Sequence, residues 1–533
     1  MYLVFKPNIA VYCSINEAEL LLLASLCHIY NLLSMTKHTQ LIFVFGLLAI
    51  MLFPMRTAAQ MPIKFDVVEQ QAPDSVDVAD SEKKNFWRAS GTVFGFNWLL
   101  WGYDRYIRKG DFAHISLNSV KENFKHGFKW DNDNLGDNMF LHPYSGNLYF
   151  NAARSNGYNF WQSSLFAVGG SAMWEMFMEC EYPSTNDIIC TPIGGMVLGE
   201  MTYRISDTMI DDRTSGAERA VRETGVFIVN PMRGFTRLIT GDMWKTRPTS
   251  GQVFGTPAVG IQMSGGTKVM EFSHDGVRDT RIGGTLGITM EYGDRFEVHS
   301  AKPYDYFTFH ANLNFITHQP LLSRLNVQGR LLARELLDNH ADDLSIGLYQ
   351  DFDYYDSDSV STALRKVPYK LGVPASLGAG LMYRNRLTPR MVFDADLHVN
   401  AVILGGILTD WFNLDQRNYN LGSGFSLKGG LQLTWDKEKF CVSATTAFYR
   451  LFTWKGYSPK VNLHEVNYKT FNVMGDYSQA SFAMTEVNAQ LRLWRKLYLG
   501  LQLNYFYRHT KYRYHPSVSS NVFMQSLQLI YKL

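Results

Sequence analysis

Between Gln60 and the C-terminus the chain lacks any long uncharged apolar run, which disfavours a protein that crosses a membrane with helices. Cysteine is scarce. Of five in 533 residues only Cys180, Cys190 and Cys441 follow residue 60, an odd number, in agreement with an exported chain but too few for a disulfide framework. Cys180 and Cys190 flank Glu181-Tyr182-Pro183-Ser184, a spacing that suits either a bridge across a helix-helix turn or, the favoured reading, two buried thiols. An excess of one charge is also missing: Lys and Arg number 51 against 49 Asp and Glu, so nothing attracts nucleic acid over the whole chain. Catalytic spacings are absent as well. There is no His-Glu-x-x-His run and no nucleophile elbow, and Ser171 lacks the glycines that would flank one. No metal and no cofactor is therefore expected, and the motif content leans away from an enzyme.

What is present points to an envelope protein. Hydrophobic residues make up 46% and charged residues 19%, which excludes a disordered chain. The 29 Tyr, 35 Phe and 42 Gly suit tilted strands with aromatic girdles. Near the start, Met35-Thr36-Lys37-His38 opens a short basic region before the apolar run Leu41 to Phe53, and Thr57-Ala58-Ala59 supplies small residues for cleavage before Gln60. That layout predicts a signal peptide over residues 35–59, its apolar core being too short to span a bilayer as a helix. Residues 1–34 read as translation from an upstream start or as an N-terminal extension with its own apolar stretch, Leu20 to Leu26, and residues 60–84 as a polar periplasmic linker.

From about residue 246 to 533 the hydrophobic period becomes two. Leu497, Leu499, Leu501, Leu503, Tyr505 and Tyr507 alternate with Tyr498, Gly500, Gln502, Asn504, Phe506 and Arg508. The same alternation recurs at Met391 to Asn400, Phe425 to Trp435, Ala375 to Arg384 and Glu486 to Leu493. Tight connections at Asn385 to Thr388, Asp436 to Lys439 and Arg495 alternate with long ones at Tyr354 to Gly372, Ile403 to Asn420, Thr453 to Gln479 and Thr510 to Ser519. A soluble sandwich has no reason to alternate its loops in this way, whereas an outer-membrane barrel has short periplasmic turns and longer external loops. The expectation is a helical N-terminal region followed by an antiparallel transmembrane β-barrel of about 12 strands, 10 to 14, ending in a strand near Asn521 to Leu533. Arg384, Asp394, Asp396, His398, Lys428, Gln432, Glu486, Arg492 and Arg508 fall on the polar face and are expected to line the lumen, as a water channel or, more commonly in small barrels, as internal ion pairs.

Residues 85–245 read as helices: Trp87 to Ile107, Ser119 to Phe128, then Leu148 to Ala153, Ser163 to Glu179 and Ile188 to Ile205. Gly169-Gly170 and Gly194-Gly195 would let helices approach closely, and Asn186 or Asp187 suits a helix cap. The ordered set His142-Pro143-Tyr144-Ser145-Gly146, Tyr149 to Gly157, Trp174-Glu175, Glu179, Pro183 to Asp187, Gly194-Gly195, Gly199-Glu200 and Asn230 to Phe235 resembles the uncharacterised bacterial family known as domain of unknown function 3943. The resemblance covers about residues 90–240. It implies a Bacteroidetes-like outer-membrane or periplasmic setting and supplies no activity.

Chemistry, if the chain performs any, is expected at His142, Glu175, Glu179, Asp187 and Glu200. Glu175 and Glu179 are one helical turn apart, and a histidine with carboxylates can activate water or hold a metal. The plainer and favoured alternative pairs Glu200 with Arg204, makes Asp187 a cap and ties His142 to backbone. Three functions follow. The first is a structural or transport barrel whose helical region plugs the lumen or caps its periplasmic mouth. The others are an outer-membrane enzyme acting on lipid or envelope glycan, and an assembly protein that docks a periplasmic partner. Outer-membrane lipid is the expected surrounding in each.

Overall fold

The computed structural model describes residues 84–131, 133–274, 277–298, 302–357, 367–414, 417–467 and 471–533. The expected signal peptide and almost all of the linker lie outside them. A helical region comes first: α1 (Phe86–Tyr103), α2 (Leu117–His126), α3 (His142–Arg154), α4 (Phe160–Met173), α5 (Asp187–Met209), α6 (Gly216–Val229) and α7 (Pro231–Thr240). Strands follow, β1 (Val259–His274), β2 (Val277–Tyr292), β3 (Phe307–Phe315), β4 (Leu322–Asp338), β5 (Asp342–Ser357), β6 (Tyr369–Thr388), β7 (Met391–Leu408), β8 (Tyr419–Trp435), β9 (Phe440–Thr453), β10 (Ser478–Trp494), β11 (Leu497–Tyr512) and β12 (Val518–Lys532). Each strand pairs antiparallel with its chain neighbour, and β1 pairs with β12, so the sheet closes into a 12-strand barrel.

Strand length and register follow the period-two pattern. On β8, Phe425, Leu427, Leu431 and Leu433 point outward and are exposed while Ser426 and Lys428 turn inward. The turns 339–341, 389–390, 436–439 and 495–496 lie at one end with both barrel termini, where 293–306 is the one long connection, and the connections 409–418 and 454–477 lie at the other. Several boundaries differ from the sequence reading: β5 runs on to Ser357, β6 begins at Tyr369 and β7 runs on to Leu408, inside stretches expected to be loops. Asn385 to Thr388 continue β6, because Asn385 pairs with Phe393 and Thr388 with Met391, and the connection after β11 is only 513–517.

The helical region neither enters the barrel nor covers the short-turn mouth, the two placements expected from the sequence. It caps the barrel from the side. Ion pairs that cross the barrel identify the lumen face: Lys428 on β8 reaches Asp351 and Asp353 on β5, and Arg324 on β4 reaches Glu486 on β10. The intervening residues therefore point outward. Among them Phe307, Phe309, Val327, Phe352 and Tyr354 are nonetheless at most 3% exposed, because the helices cover them. Phe140 packs on Phe352 and Tyr354, Phe160 stacks on Tyr304, and the Gln350 side chain donates to the Ile193 carbonyl at 3.1 Å. A physical reason for the lateral placement is that the lumen is already occupied over its long-loop half and its middle. Tyr355, Tyr369, Tyr449, Phe482 and Phe506 fill its long-loop half, and the ion pairs occupy its middle.

Close approach holds the bundle together and to the wall. A Cβ on Gly146 of α3 would sit 1.8 Å from the Thr191 carbonyl oxygen of α5, so the two helices meet backbone to backbone. At the wall, a Cβ on Gly372 of β6 would lie 2.5 Å from Met139 Cγ. Lateral docking therefore makes a direct prediction. With Cys180 replaced by serine, Met139→Cys with Gly372→Cys should cross-link on mild oxidation, whereas Met139→Cys with Val373→Cys, whose side chain turns into the lumen, should not. Mobility on a non-reducing gel reads the result.

Candidate metal centre

Two loops are zipped together at the long-loop end of the barrel. Lys129 donates to the Pro183 carbonyl at 2.8 Å and Thr185 to the Lys129 carbonyl at 2.6 Å, so residues 129–137 lie beside residues 183–187. Asp131 accepts from the Ser184 hydroxyl at 2.7 Å and the Asn186 amide at 2.8 Å, and its other oxygen accepts from the Asp133 backbone at 3.1 Å. The barrel fixes the same loop from the other side: Arg417 donates to the Asp131 carbonyl at 3.2 Å, the Tyr419 hydroxyl to the Asp133 carbonyl, and the Asn472 side chain accepts from Trp130. The cluster thus sits level with the first residue of β8 and its preceding loop, at the long-loop ends of the strands.

His142, the first residue of α3, points its Nε2 at Asp133 Oδ2 (2.8 Å) and Asp187 Oδ1 (3.4 Å). One atom from each of the three lies within 4.8 Å of the others. Donors about 2.1 Å from a common divalent ion stand about 3.0–3.4 Å apart, so the set has the right size with little movement. Three protein ligands of mixed oxygen and nitrogen character also leave coordination positions open. They border a cavity of about 150 Å³ lined by Asp137, Tyr149, Glu175, Glu179 and Arg108 as well. Three π-helical turns, Asp104–Arg108, Asp137–Leu141 and Trp174–Met178, all contribute to that lining. Such turns store local irregularity where side chains must be aimed.

Electrostatics mark the same place. Burial, reinforced by Asp133, pushes Asp137 up to about 7, and burial pushes Glu175 up to about 8 although its carboxylate accepts from the Ser184 backbone at 2.7 Å. Burial also carries Asp187 and Glu179 well above the usual carboxylate range. For His142 burial works downward, but the Asp133 hydrogen bond and the surrounding Asp133, Asp131 and Asp137 charges outweigh it and raise the ring to about 9. A proton on His142 is thus what balances the carboxylates when no cation does.

The structure brings together four of the five residues singled out in the sequence. His142 and Asp187 face each other, and Glu175 and Glu179 reach the same cavity through a π-turn rather than a regular helical face. Glu179 accepts from the Trp174 indole. Glu200 belongs elsewhere, bonded to Arg154 at 2.8 Å and Arg204 at 3.1 Å, of which the Arg204 pair was the plainer expectation. Asp187 does not cap α5, since its own backbone donates to the Ser184 hydroxyl, and His142 bonds carboxylates rather than backbone. Asp131, Asp133 and Asp137 were missed. Three aspartates within seven positions ahead of His142 were the available signal. Cys180 and Cys190 are free thiols, the first exposed and the second buried three residues after Asp187.

Residues 127–232 match one family model. It is Domain of unknown function (DUF3943). The matched segment contains every carboxylate of the cluster and His142, while Arg108 at the cavity mouth precedes it. No curated protein matches the chain. Among solved structures, the NanC porin is 9% identical over 51% of this chain and 98% of its own, with a TM-score of 0.25. The Pseudomonas putida toluene transporter TodX is 7% identical over 52% and 90%, at 0.21, and the Acinetobacter baumannii outer-membrane channel DcaP 9% identical over 52% and 97%, also at 0.21.

The remaining sequence candidates lie in the barrel. Arg384 pairs with Asp394 at 2.7 Å, Lys428 with Asp351 and Asp353, Glu486 with Arg324, and Arg508 with Asp410 at 2.7 Å. His398 meets the Tyr349 ring edge-on and lies 3.8 Å from Asp396. Gln432 lines a short-turn vestibule and donates to Thr434, and the Arg492 guanidinium lies over Tyr498.

The pH response of the cation-free cluster follows from these shifts. Folded Asp137 and Glu175 keep protons that the unfolded chain releases near 4, so their contribution to stability falls as pH climbs to about 7 and 8. His142 contributes fully below its ordinary 6.5 and loses that contribution through about 9. Both act in one direction. Amide exchange in residues 131–187, corrected for intrinsic rate, should therefore be faster at pH 9 than at pH 6 in chelator, and added zinc or manganese should restore protection. Equal protection at both pH values would contradict the assignment.

Proposed function

We propose that the protein is an outer-membrane β-barrel whose lateral helical domain carries a divalent-cation-dependent hydrolytic site acting on lipid. The observation that carries this reading is the Asp133, His142 and Asp187 donor set, open to a cavity in a domain whose outer face is apolar. Support for the membrane setting comes from the exposed apolar belt of the uncovered wall, Leu397, Val399, Leu427, Leu431, Leu501 and Leu527 among others. The signal-peptide layout of residues 35–59 agrees with it. On the helices, Trp87, Phe94, Trp98, Leu99, Trp161 and Leu165 are exposed on α1 and α4, more apolar surface than a soluble domain ordinarily leaves to water. No described helix is long and apolar enough to cross a membrane by itself. Set against the barrel, the domain presents those faces to lipid beside the wall. Four of the five connections at the end that holds both barrel termini are short, 293–306 being the exception, which supports the reading that the cluster faces the outer leaflet.

A divalent ion at the donor set would supply Lewis acidity and lower the pKa of water. The chain's own groups supply the rest. Glu175, buried and holding its proton near neutral pH, is placed to return a proton to a leaving oxygen, and Asp131, held below the usual range chiefly by hydrogen bonds from its neighbours against the cost of burial, fixes Ser184 and Asn186 and with them the approach of Asp187. The test uses the refolded full chain in envelope lipid, with products read by mass spectrometry. Lipid turnover should require a divalent ion and fall roughly 10²-fold or more in His142→Ala and Asp187→Asn. Turnover indifferent to chelator and to both variants would sink the reading.

The vestibule favours transport as a second reading. It measures about 650 Å³ at the short-turn mouth, is lined by Glu291, Arg295, Arg384, Arg386 and Asp394, and stops below the Lys428 ion pairs. If those pairs gate a path, Asp351→Asn with Asp353→Asn should raise single-channel conductance in planar bilayers above a silent wild type. Silence in both would remove transport.

A further inference from the structure

Strands β9, β10 and β11 form the side of the barrel away from the helical domain, and their outward face changes character toward the long-loop end. On β11, Phe506 and Arg508 are buried in the lumen while Leu501 and Tyr505 are exposed to the outside. The outward positions therefore run Leu499, Leu501, Leu503, Tyr505 and Tyr507, then His509 and Lys511, with Arg513 just past the strand. At about 3.3 Å per residue and a tilt of roughly 40°, the run from Leu499 to Tyr507 climbs about 20 Å, most of the apolar band of a barrel, so Lys511 and Arg513 stand at headgroup level. Register sets Phe452 of β9, Gln479 of β10 and Lys511 of β11 in one row across the wall, and Arg450, Ser481 and His509 in the next. Phe452, Tyr477, Gln479, Lys511, Tyr512 and Arg513 line a surface pocket of about 360 Å³, and among the described residues no carboxylate contributes to that lining. Phe452, Gln479, Lys511 and Arg513 are exposed.

The charges of this patch are not balanced from within the chain. Arg324, Arg330, Arg384, Arg386 and Arg508 of the barrel each meet a carboxylate within 2.9 Å. Arg450 instead donates to the Ser481 hydroxyl at 2.6 Å and to the Gln479 side-chain oxygen at 2.8 Å, both neutral, and the Arg513 guanidinium lies over the rings of Tyr477 and Tyr514. Among the described residues none of Arg450, Lys511 and Arg513 has a carboxylate partner. Three cations gathered on the lipid side of the wall, just above its apolar band, call for an anion supplied by the bilayer. Guanidinium and ammonium donors around one concavity suit the oxygens of a phosphate. We propose that this patch holds the phosphate of an outer-leaflet lipid, its acyl chain laid beside Phe452 and down the apolar run of β11, a site that depends on the membrane setting and not on the hydrolytic centre. A free phosphate would gain the charges alone, and an uncharged lipid the apolar run alone.

The experiment titrates the refolded full chain, in neutral detergent with chelator, against dioleoyl phosphatidate and dioleoyl glycerol, and counts bound lipid by native mass spectrometry. Phosphatidate should bind roughly tenfold or more tightly than the glycerol, and an equal concentration of inorganic phosphate should not displace it. Lys511→Gln with Arg513→Gln, both at exposed positions, should abolish the preference while heat-modifiable gel migration still reports a folded barrel, and Arg450→Gln should weaken it. Lys511→Arg with Arg513→Lys, which keeps both charges, should retain it. Lys121→Gln with Lys125→Gln on α2 should leave the preference unchanged, and so should His142→Ala, because neither touches this wall. Phosphatidate and the glycerol binding alike would overturn the proposal, as would a preference that survives Lys511→Gln with Arg513→Gln. Displacement by inorganic phosphate would make the patch a free-phosphate site and overturn it too. Loss of the preference in His142→Ala would move the lipid to the helical domain and leave the wall without a role. Since chelator is present throughout, failure of the hydrolytic reading leaves each of these results unaltered.

Discussion

Everything else in the molecule depends on how the helical domain is held against the outer face of strands β2 to β6. In water, burying Phe309, Val327, Phe352 or Tyr354 there would contribute about 1.5–3 kcal/mol each. On the membrane reading that gain nearly vanishes, because lipid competes for the same face and is as apolar as the helices. What remains is close packing and hydrogen bonding. The wall supplies both, with a glycine at 372 under Met139, the Gln350 amide on the Ile193 carbonyl, and the Arg204 guanidinium on the Pro303 carbonyl at 2.6 Å. Arg417 and Tyr419 then grip the loop of Asp131 and Asp133, so the same docking that attaches the domain also shapes the cluster.

A barrel used in this way is a scaffold first. Its lumen packs like a protein core in the long-loop half and carries crossed ion pairs in the middle, so the barrel needs no helical plug to be rigid. Arg508 shows the same economy at the rim, with its guanidinium shared between the Pro368 carbonyl and both oxygens of Asp410. Rigidity there matters for the cluster, since β8 and its flanking loops are the ground on which residues 129–137 stand.

The barrel was legible because its rule is local. Period two, alternating loop lengths and a closing C-terminal strand each leave a trace in a few residues, and the strand number followed from counting them. Lateral docking left no such trace. Phe307, Phe309 and Tyr354 alternate as lipid-facing residues do, and the sequence does not distinguish a partner helix from an acyl chain. The cluster was half legible for a related reason. His142, Glu175 and Asp187 stand out as polar residues in apolar helices, whereas Asp131, Asp133 and Asp137 sit in a stretch that reads as an ordinary polar loop. Only the bridge between Lys129 and Ser184 makes them neighbours of Asp187, and that pairing spans more than fifty residues. Glu200 was drawn in wrongly because it lies on the same helix as Asp187, but it stands several turns away and has two arginines of its own.

The cluster's charge balance differs from that of the domain's other buried acids. Glu200, Asp207 and Asp212 are also buried carboxylates, and each has at least one arginine within 3.1 Å. The domain therefore neutralises buried acids with guanidinium groups wherever structure alone is at stake. Around Asp131, Asp133, Asp137, Glu175 and Asp187 the group in direct contact is an imidazole whose charge can be surrendered, while the guanidinium that shares the cavity, Arg108, is paired with Asp104 and acts on Asp133 and Asp137 from a distance. A fixed arginine there would stabilise the fold as well as it does at Glu200 and would exclude any other cation. Placing His142 instead leaves the balance to be completed from outside, which is what a site that takes up and releases a cation requires.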